Sequence, residues 1–333
     1  MKKIGKQTVE LKNKPVISGH YSIVGPKEGE GPLARYFDKI LEDSKFGEDT
    51  WEKSESKFVK TAIENALKKA NLTVNDIDYI FSGDLLNQCA SSSFAIKDME
   101  IPFFGLYGAC STMAESLSLA AMTVDGEFAE NVVAVTSSHY CSAERQFRFP
   151  LEYGGTRPET SQWTVTGSGA VVVSDAGDGP YINRLTTGKI VDLGVKDANN
   201  MGAAMAPAAA DTIITFFEDT KEDPDSYDLI ITGDLGKIGS EILNDILRKN
   251  GYKLNNLNDC GVLIYDIETQ DVHSGGSGCG CSASVLTSFI LPQIICGKYK
   301  KVLFIATGAL MSTTTTQQGS SIPGIAHLVE IIK

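Results

Sequence analysis

Cys110 stands in the run Gly108-Ala109-Cys110-Ser111-Thr112-Met113, between the apolar stretch 101–107 and a stretch of helical period, 113–122. This reads as a strand, a tight turn and a helix whose first turn carries Cys110 and Ser111. The free N–H groups and the dipole at such a point favour a thiolate or a bound anion. A buried strand–helix junction also suits cysteine, so chemistry and packing are both open from the hexapeptide alone.

Other residues have usable chemistry. Asp84 ends the apolar run 77–81, where ligand sites gather in α/β sheets, or else it shapes a turn. His139 stands just past the strand-like 132–135, as a ligand donor or as a hydrogen-bonded structural imidazole. Arg145, Arg148 and Arg157 cluster in a chain with few arginines, as carboxylate clamps or as surface and interface ion pairs. Arg157 and Trp163 belong to a Gly-, Pro- and aromatic-containing loop suited to capping a pocket. Cys279 and Cys281 form a C-x-C pair without a second pair or a suitably spaced histidine. They are expected to line the back of the pocket rather than to hold zinc. Gly275, Gly276, Gly278 and Gly280 allow close backbone approach, but no Lys-Ser/Thr of a phosphate loop follows.

The elements that position these residues alternate between strand and helix. Short apolar segments fill 8–25, and Gly25 to Gly31 reads as an exposed turn cluster. Phe58, Ala62, Ile63, Ala66 and Leu67 fall at helical spacing within 52–70. A strand is expected at 77–81 and another at 132–135, with 163–165 and 169–173 closing the first half. The second half repeats the plan. Tyr227–Leu235 matches Ile77–Leu85, Cys281-Ser282 follows the pattern of Cys110-Ser111, and Gly297 that of Gly126. Gly324–Val329 closes the chain as Gly169–Val173 closes the first half. Two similar α/β units are expected, 1–178 and 179–333.

The 333 residues suffice for a large core, and 42% apolar with 22% charged is ordinary for a soluble globular chain. A net charge of −12 argues against a nucleic-acid binder or an anionic-membrane binder acting through bulk charge. Seven cysteines without framework spacing fit reduced thiols in a cytosolic compartment. Neither a signal peptide nor a membrane-spanning run is expected, so any membrane role is peripheral.

A duplicated α/β chain with a cysteine at the strand–helix turn resembles the thiolase fold. The finish Gln317–Ala326 is similar to the closing strand of ketoacyl synthases. Four stretches resemble the stage V sporulation protein AD family more closely. They are Ser82–Gln88, Tyr107–Thr112, Ser137–Pro150, and Tyr153–Pro158 with Gln162–Gly167. The resemblance covers residues 8 to 333 and implies mixed sheets sandwiching helices in a layered αβαβα fold. One departure matters. Thiolases carry a histidine in Gly-His-Pro-x-Gly-Ala-Ser, where this chain has Gly278-Cys279-Gly280-Cys281-Ser282-Ala283-Ser284. A thiol cannot replace an imidazole as a base near neutral pH.

What the resemblance implies is binding of dipicolinate (pyridine-2,6-dicarboxylate) and its entry into the developing spore, without catalysis. Asp84, Cys110, Ser111, His139, Arg145, Cys279 and Cys281 are the residues expected around that ligand. No resident cofactor or metal is expected, and calcium would arrive as the dipicolinate chelate. Membrane proteins of the same operon are the implied partners, at the cytoplasmic side of the forespore inner membrane, with a homodimer formed through the first half. The alternative is an acyltransferase using Cys110 with His139 or His273 as base. A scaffold with a vestigial pocket is the third reading.

Overall fold

The computed structural model describes residues 2–147 and 157–333; Arg148 and the 148–156 part of the expected capping loop lie outside them. The first half carries strands β1 (Thr8–Glu10), β2 (Val16–Val24), β3 (Lys39–Ile40), β4 (Tyr79–Gly83) and β5 (Phe103–Gly105). β6 (Asn131–Ser138), β7 (Trp163–Thr164) and β8 (Gly167–Ser174) complete it. Its helices are α1 (Pro26–Gly29), α2 (Trp51–Lys69), α3 (Ala90–Ile96), α4 (Thr112–Asp125) and α5 (Tyr140–Phe147). The second half carries β9 (Tyr181–Thr186), β10 (Leu229–Thr232), β11 (Leu257–Asp259), β12 (Gly276–Ser277), β13 (Lys301–Ala309) and β14 (Gly324–Ile332). Its helices are α6 (Met201–Thr220), α7 (Gly236–Lys249), α8 (Cys260–Ile264), α9 (Cys279–Val285), α10 (Leu291–Ile295) and α11 (Thr313–Gln317).

Twelve described strands form one sheet, ordered β11-β10-β13-β14-β9-β2-β8-β6-β4-β5, with β1 on β9 and β3 on β2. The order is symmetric about its centre. β5, β4 and β6 run parallel while β8 and β2 turn antiparallel, and β11, β10, β13, β14 and β9 repeat this from the other end. The centre itself is one residue pair, Val16 with Tyr181.

Strand alternation assigns the layers. Val133 and Val135 of β6 face α2, where Phe58, Val59, Ala62, Ile63 and Ala66 cover them. Val132 and Ala134 face the opposite way, into a central core with Met113, Leu117 and Ala121 of α4. That core also takes Cys281, Val285 and Leu291 from α9 and α10, and Phe304 and Ala306 from β13. On the far side α6 and α7 pack on Ile230, Leu303 and Ile305. Helix, half-sheet, helix, half-sheet, helix is the layering expected, with the two expected sheets joined into one through Val16 and Tyr181. Strands buried on both faces explain the near-continuous apolar runs in the sequence. Between α9 and α10 the helix widens to a π turn, Leu286–Ile290, just ahead of Pro292, which lacks the N–H that would close an ordinary turn.

One expectation fails here. The cluster Gly25 to Gly31 is not an exposed loop: α1 starts at Pro26, and Glu28 is 1% exposed. Its carboxylate accepts a hydrogen bond from the Tyr265 hydroxyl and another from the Thr166 N–H at 2.9 Å. Burial raises the Glu28 carboxyl above its ordinary pKa, against the hydrogen bonds by which the group joins the two halves.

Candidate ligand cavity at Cys110

The turn before α4 holds its own shape. Ala109 adopts φ +51°, and the Ser111 N–H and hydroxyl donate to the Gly108 carbonyl at 3.1 and 2.7 Å. The Thr112 hydroxyl donates to the Ala109 carbonyl at 2.6 Å and accepts from the Gly108 N–H at 3.1 Å. Gly308 of β13 lies against this turn with no room for a side chain.

Cys110 therefore sits in the 3₁₀ turn ahead of α4, and the residue is 5% exposed. The Asp234 carboxylate lies beside it and accepts from the Gly278 N–H at 2.9 Å and the Thr307 hydroxyl at 2.7 Å. Burial, then the charge of Asp234 and the neighbouring Cys279, hold the Cys110 thiol well above its ordinary pKa. This corrects the expectation of a helix-stabilised thiolate: desolvation and an adjacent acid outweigh the dipole. Burial also pushes Asp234 up to about 7, against the pull of the Gly278 N–H and the Thr307 hydroxyl.

The consequence is testable. Exposed Cys296 is expected to react with iodoacetamide at pH 7.5 at least tenfold faster than Cys110, followed by peptide mass spectrometry. Faster labelling of Cys110 would contradict a thiol kept protonated by burial beside Asp234.

Cys110 opens onto a small cavity of about 50 Å³. Leu85, Tyr107, Phe147 and Met311 make apolar walls, while Gln162, Thr164, Asn199 and Ser277 bring polar groups. Glu144 is the charged residue of the described lining. The cavity lies where the halves meet. β7 pairs with β12, setting Thr164 beside Ser277, and Gln162 Nε2 donates to the carbonyls of Asp234 and Gly276 at 2.7 and 2.8 Å.

Of the residues singled out from sequence, Cys110 lines this cavity. Cys279 packs directly behind it in a cluster with Leu85 and Ala143, and its thiol donates to the Ser137 carbonyl at 2.9 Å. Cys281 does not line the back of the pocket. Its thiol faces Gly276 from within the central core. The Ser111 hydroxyl is used within the turn. Asp84 is a turn aspartate, accepting from the N–H groups of Leu86 and Ser92 at 2.9 and 2.7 Å and from the Ser92 hydroxyl at 2.7 Å.

The histidines are turned elsewhere. His139 Nδ1 accepts from the Cys141 N–H at 3.2 Å, so Nε2 carries the proton and donates to the Ser44 carbonyl at 2.8 Å. Burial lowers its pKa, keeping it neutral. His273 lies in a surface depression with Glu159 and Asp271, at 3.7 and 3.6 Å. Arg145 pairs with Glu52 and lies over the Trp51 ring at 5.3 Å. Arg157 pairs with Asp271 at 3.2 Å and lies 4.7 Å over Trp163, which stacks on Tyr140 at 3.8 Å.

Sequence reasoning missed Asp234 as the neighbour of Cys110. The signal was there, since Asp234 is the repeat of Asp84, but the two copies are used differently. Asp84 bonds its own loop, and Asp234 bonds the facing segments at 278 and 307. Among the described residues no group of three or more His, Cys, Asp or Glu is placed to hold a metal ion.

Comparison with known proteins agrees with this architecture. Residues 5–332 match the family described as stage V sporulation protein AD. The chain is 47% identical over 328 residues to stage V sporulation protein AD of Bacillus subtilis (strain 168), covering 98% of this chain and 97% of the relative. Among solved structures it is similar to 3-oxoacyl-[acyl-carrier-protein] synthase III from Aquifex aeolicus VF5. There the TM-score is 0.58 at 14% identity, over 96% of this chain and 100% of that one. Cerulenin-bound OleA from Xanthomonas campestris gives 0.61 at 12%, over 97% and 98%. At such identities the likeness speaks for the fold alone. With 5–332 matched end to end on a thiolase-like scaffold, the chain belongs to the stage V sporulation protein AD family.

Proposed function

We propose that this sporulation protein binds dipicolinate in the Cys110 cavity and takes part in its uptake into the developing spore, without catalysing a reaction. The observation that carries this reading is a small, mainly apolar cavity floored by a thiol that burial keeps protonated. Cys110 lies beside Asp234, Cys279 stands where a thiolase has its histidine, and His139 and His273 are both committed elsewhere. Such a site is poor for acyl transfer and suitable for holding a small planar acid. Tyr107, Phe147 and Met311 flank the ring, and Thr164, Asn199 and Ser277 offer hydrogen bonds to carboxylate oxygens. Glu144 beside a dianion favours the calcium chelate or a protonated carboxylate.

No helix of the described residues is long and apolar enough to cross a membrane. Peripheral docking on membrane proteins of the same operon, at the forespore inner membrane, completes the reading. The edge strand β5, with Phe104 52% and nearby Tyr107 44% exposed, is the surface we assign to a homodimer.

Isothermal titration with dipicolinate, with and without calcium, tests the proposal. Saturable binding is expected, weakened at least tenfold by Cys110→Phe, which fills the cavity floor. No binding by folded wild-type protein would overturn it. Incubation with acyl-CoA is expected to leave the protein mass unchanged, and an adduct on Cys110 would favour the acyltransferase reading instead.

A further inference from the structure

The end of the molecule away from the cavity carries two matching rims of opposite charge. β13 finishes at the cavity with Ala309 in its wall, and β6 finishes at Cys279, directly behind Cys110. Both strands therefore begin at the far end, eight and nine residues back, or roughly 25–30 Å at about 3.3 Å per residue. The turns that lead into them are repeats. Asp78 accepts from the Glu130 and Asn131 N–H groups at 2.8 and 3.2 Å, and Asp228 accepts from those of Lys300 and Lys301 at 2.6 and 3.0 Å. In that register Glu127, Phe128 and Glu130 stand where the second half has Lys298, Tyr299 and Lys300. The first rim is a hollow of about 620 Å³ in which Phe128 stands 76% exposed. Its described charged lining is all acidic: Asp78, Glu127, Glu130 and Asp175. The second rim is basic. Lys333 donates its N–H to the Lys300 carbonyl at 3.0 Å and brings its ammonium over Gly297, beside exposed Lys298 and Ile295.

We infer that these rims pair two copies of this chain face to face, the acidic rim of each on the basic rim of the other. A two-fold axis between the rims makes both contacts at once, so the pair closes on itself. Phe128 of one copy then covers Tyr299 and Ile295 of the other, while Glu127 and Glu130 meet Lys298, Lys300 and Lys333. Lys301 is left out, because Glu222 already holds it at 3.2 Å. An anionic bilayer also suits three lysines beside an isoleucine and a tyrosine, but the acidic rim at the same end would be pressed against it. The net charge of −12 repels two copies in most orientations, and setting unlike rims together offsets that repulsion. Exposed ion pairs are individually weak, so the contact is salt-sensitive, and it is separate from the β5 edge.

Equilibrium sedimentation at about 0.1 M and about 1 M NaCl tests this, since charges are screened beyond about 10 Å in the first and about 3 Å in the second. The lower salt screens distant like charges and leaves touching rims attracted, whereas the higher salt removes both effects. The wild-type mass at high salt, whether of one chain or of a pair joined through β5, is the reference. At the lower salt and high protein concentration it is expected to at least double. Lys298→Glu/Lys300→Glu and Glu127→Lys/Glu130→Lys are each expected to stay at the reference mass in both salts. Mixed in equal amounts at the lower salt, the two variants are expected to recover the doubled mass, which damaged folds would not do. A wild-type mass independent of salt, or variants that associate as wild type does, would overturn the pairing. So would flotation of wild type with phosphatidylglycerol vesicles, lost in Lys298→Glu/Lys300→Glu, without any change of mass; the basic rim would then serve a membrane surface.

Discussion

Gly308→Ala is expected to abolish ligand binding and to lower stability by about 1–3 kcal/mol or more, the usual range for overpacking. A Cβ on Gly308 would lie 2.2 Å from the Gly108 carbonyl oxygen and 3.0 Å from the Ser111 nitrogen. Neither is the end of a flexible side chain, so the clash is relieved by moving backbone. The Gly108 carbonyl is the acceptor for both the Ser111 N–H and its hydroxyl, so the turn that presents Cys110 moves with it. Cys110 then loses its register with Asp234 and the cavity floor is rebuilt. Gly251→Ala supplies the comparison. Gly251 follows α7 with φ +85° and nothing within 4 Å of an added Cβ. It sits in a helix-ending turn closed by the Gly251 and Tyr252 N–H groups on Arg248 and Leu247. That variant is expected to lose about 1 kcal/mol through backbone strain and to bind ligand normally. Thermal melts and dipicolinate titration read both effects. Normal binding by Gly308→Ala would show that the turn is not held from β13.

The contrast between these glycines shows how much of the molecule the sequence makes legible. The Cys110 turn, the repeat of Ile77–Leu85 in Tyr227–Leu235 and the loss of the thiolase histidine at Cys279 are all local patterns. They pass directly into structure as β4, β10 and the start of α4. Layering was legible too, because doubly buried strands need apolar side chains on both faces. Partnership across long separations was not. Asp84, His139 and Ser111 have types and positions suited to a ligand, yet each is bonded by its own neighbourhood, and that depends on which donors the fold brings near. Arg145 and Cys281 were grouped with Cys110 by type. One lies in an outer hollow and the other in the core. Glu55 is the subtler case. It falls on the apolar face of α2 with Phe58, Val59 and Ala62, and that helical spacing alone marks it as a buried acid.

That buried acid leads to the second large effect: Glu55 is expected to cost the protein stability between pH 5.5 and pH 8, against a smaller opposing gain below about pH 6.5 from His20, His139 and His327, whose pKa values burial lowers. Glu55 is 1% exposed and accepts from the Ser137 and Ser142 hydroxyls at 3.0 and 2.8 Å, tying α2 to β6 and α5. Burial first, and then the charge of Asp84, push its pKa from 4.5 to about 8. Burial likewise raises Asp234 to about 7 and Asp259 to about 6. Between its ordinary pKa and the raised one, each group keeps a proton in the folded protein that the unfolded chain has released. Folding stability therefore falls as pH rises through that window. Holding one such proton costs roughly 1.4 kcal/mol for every pH unit climbed inside the window, so Glu55 alone accounts for on the order of a few kcal/mol by pH 8. Glu55→Gln has no proton to lose while its amide oxygen can still accept from a serine hydroxyl. Its melting temperature is expected to match wild type near pH 5.5 and to exceed it by several degrees at pH 8, taking roughly 2–4 °C per kcal/mol. Asp234 and Asp259 leave a smaller slope in the variant. A Glu55→Gln melting temperature that runs parallel to that of wild type from pH 5.5 to 8 would mean that Glu55 ionises freely in the fold. In that case the α2–α5 contact beside the cavity would have to be held by something other than a protonated acid.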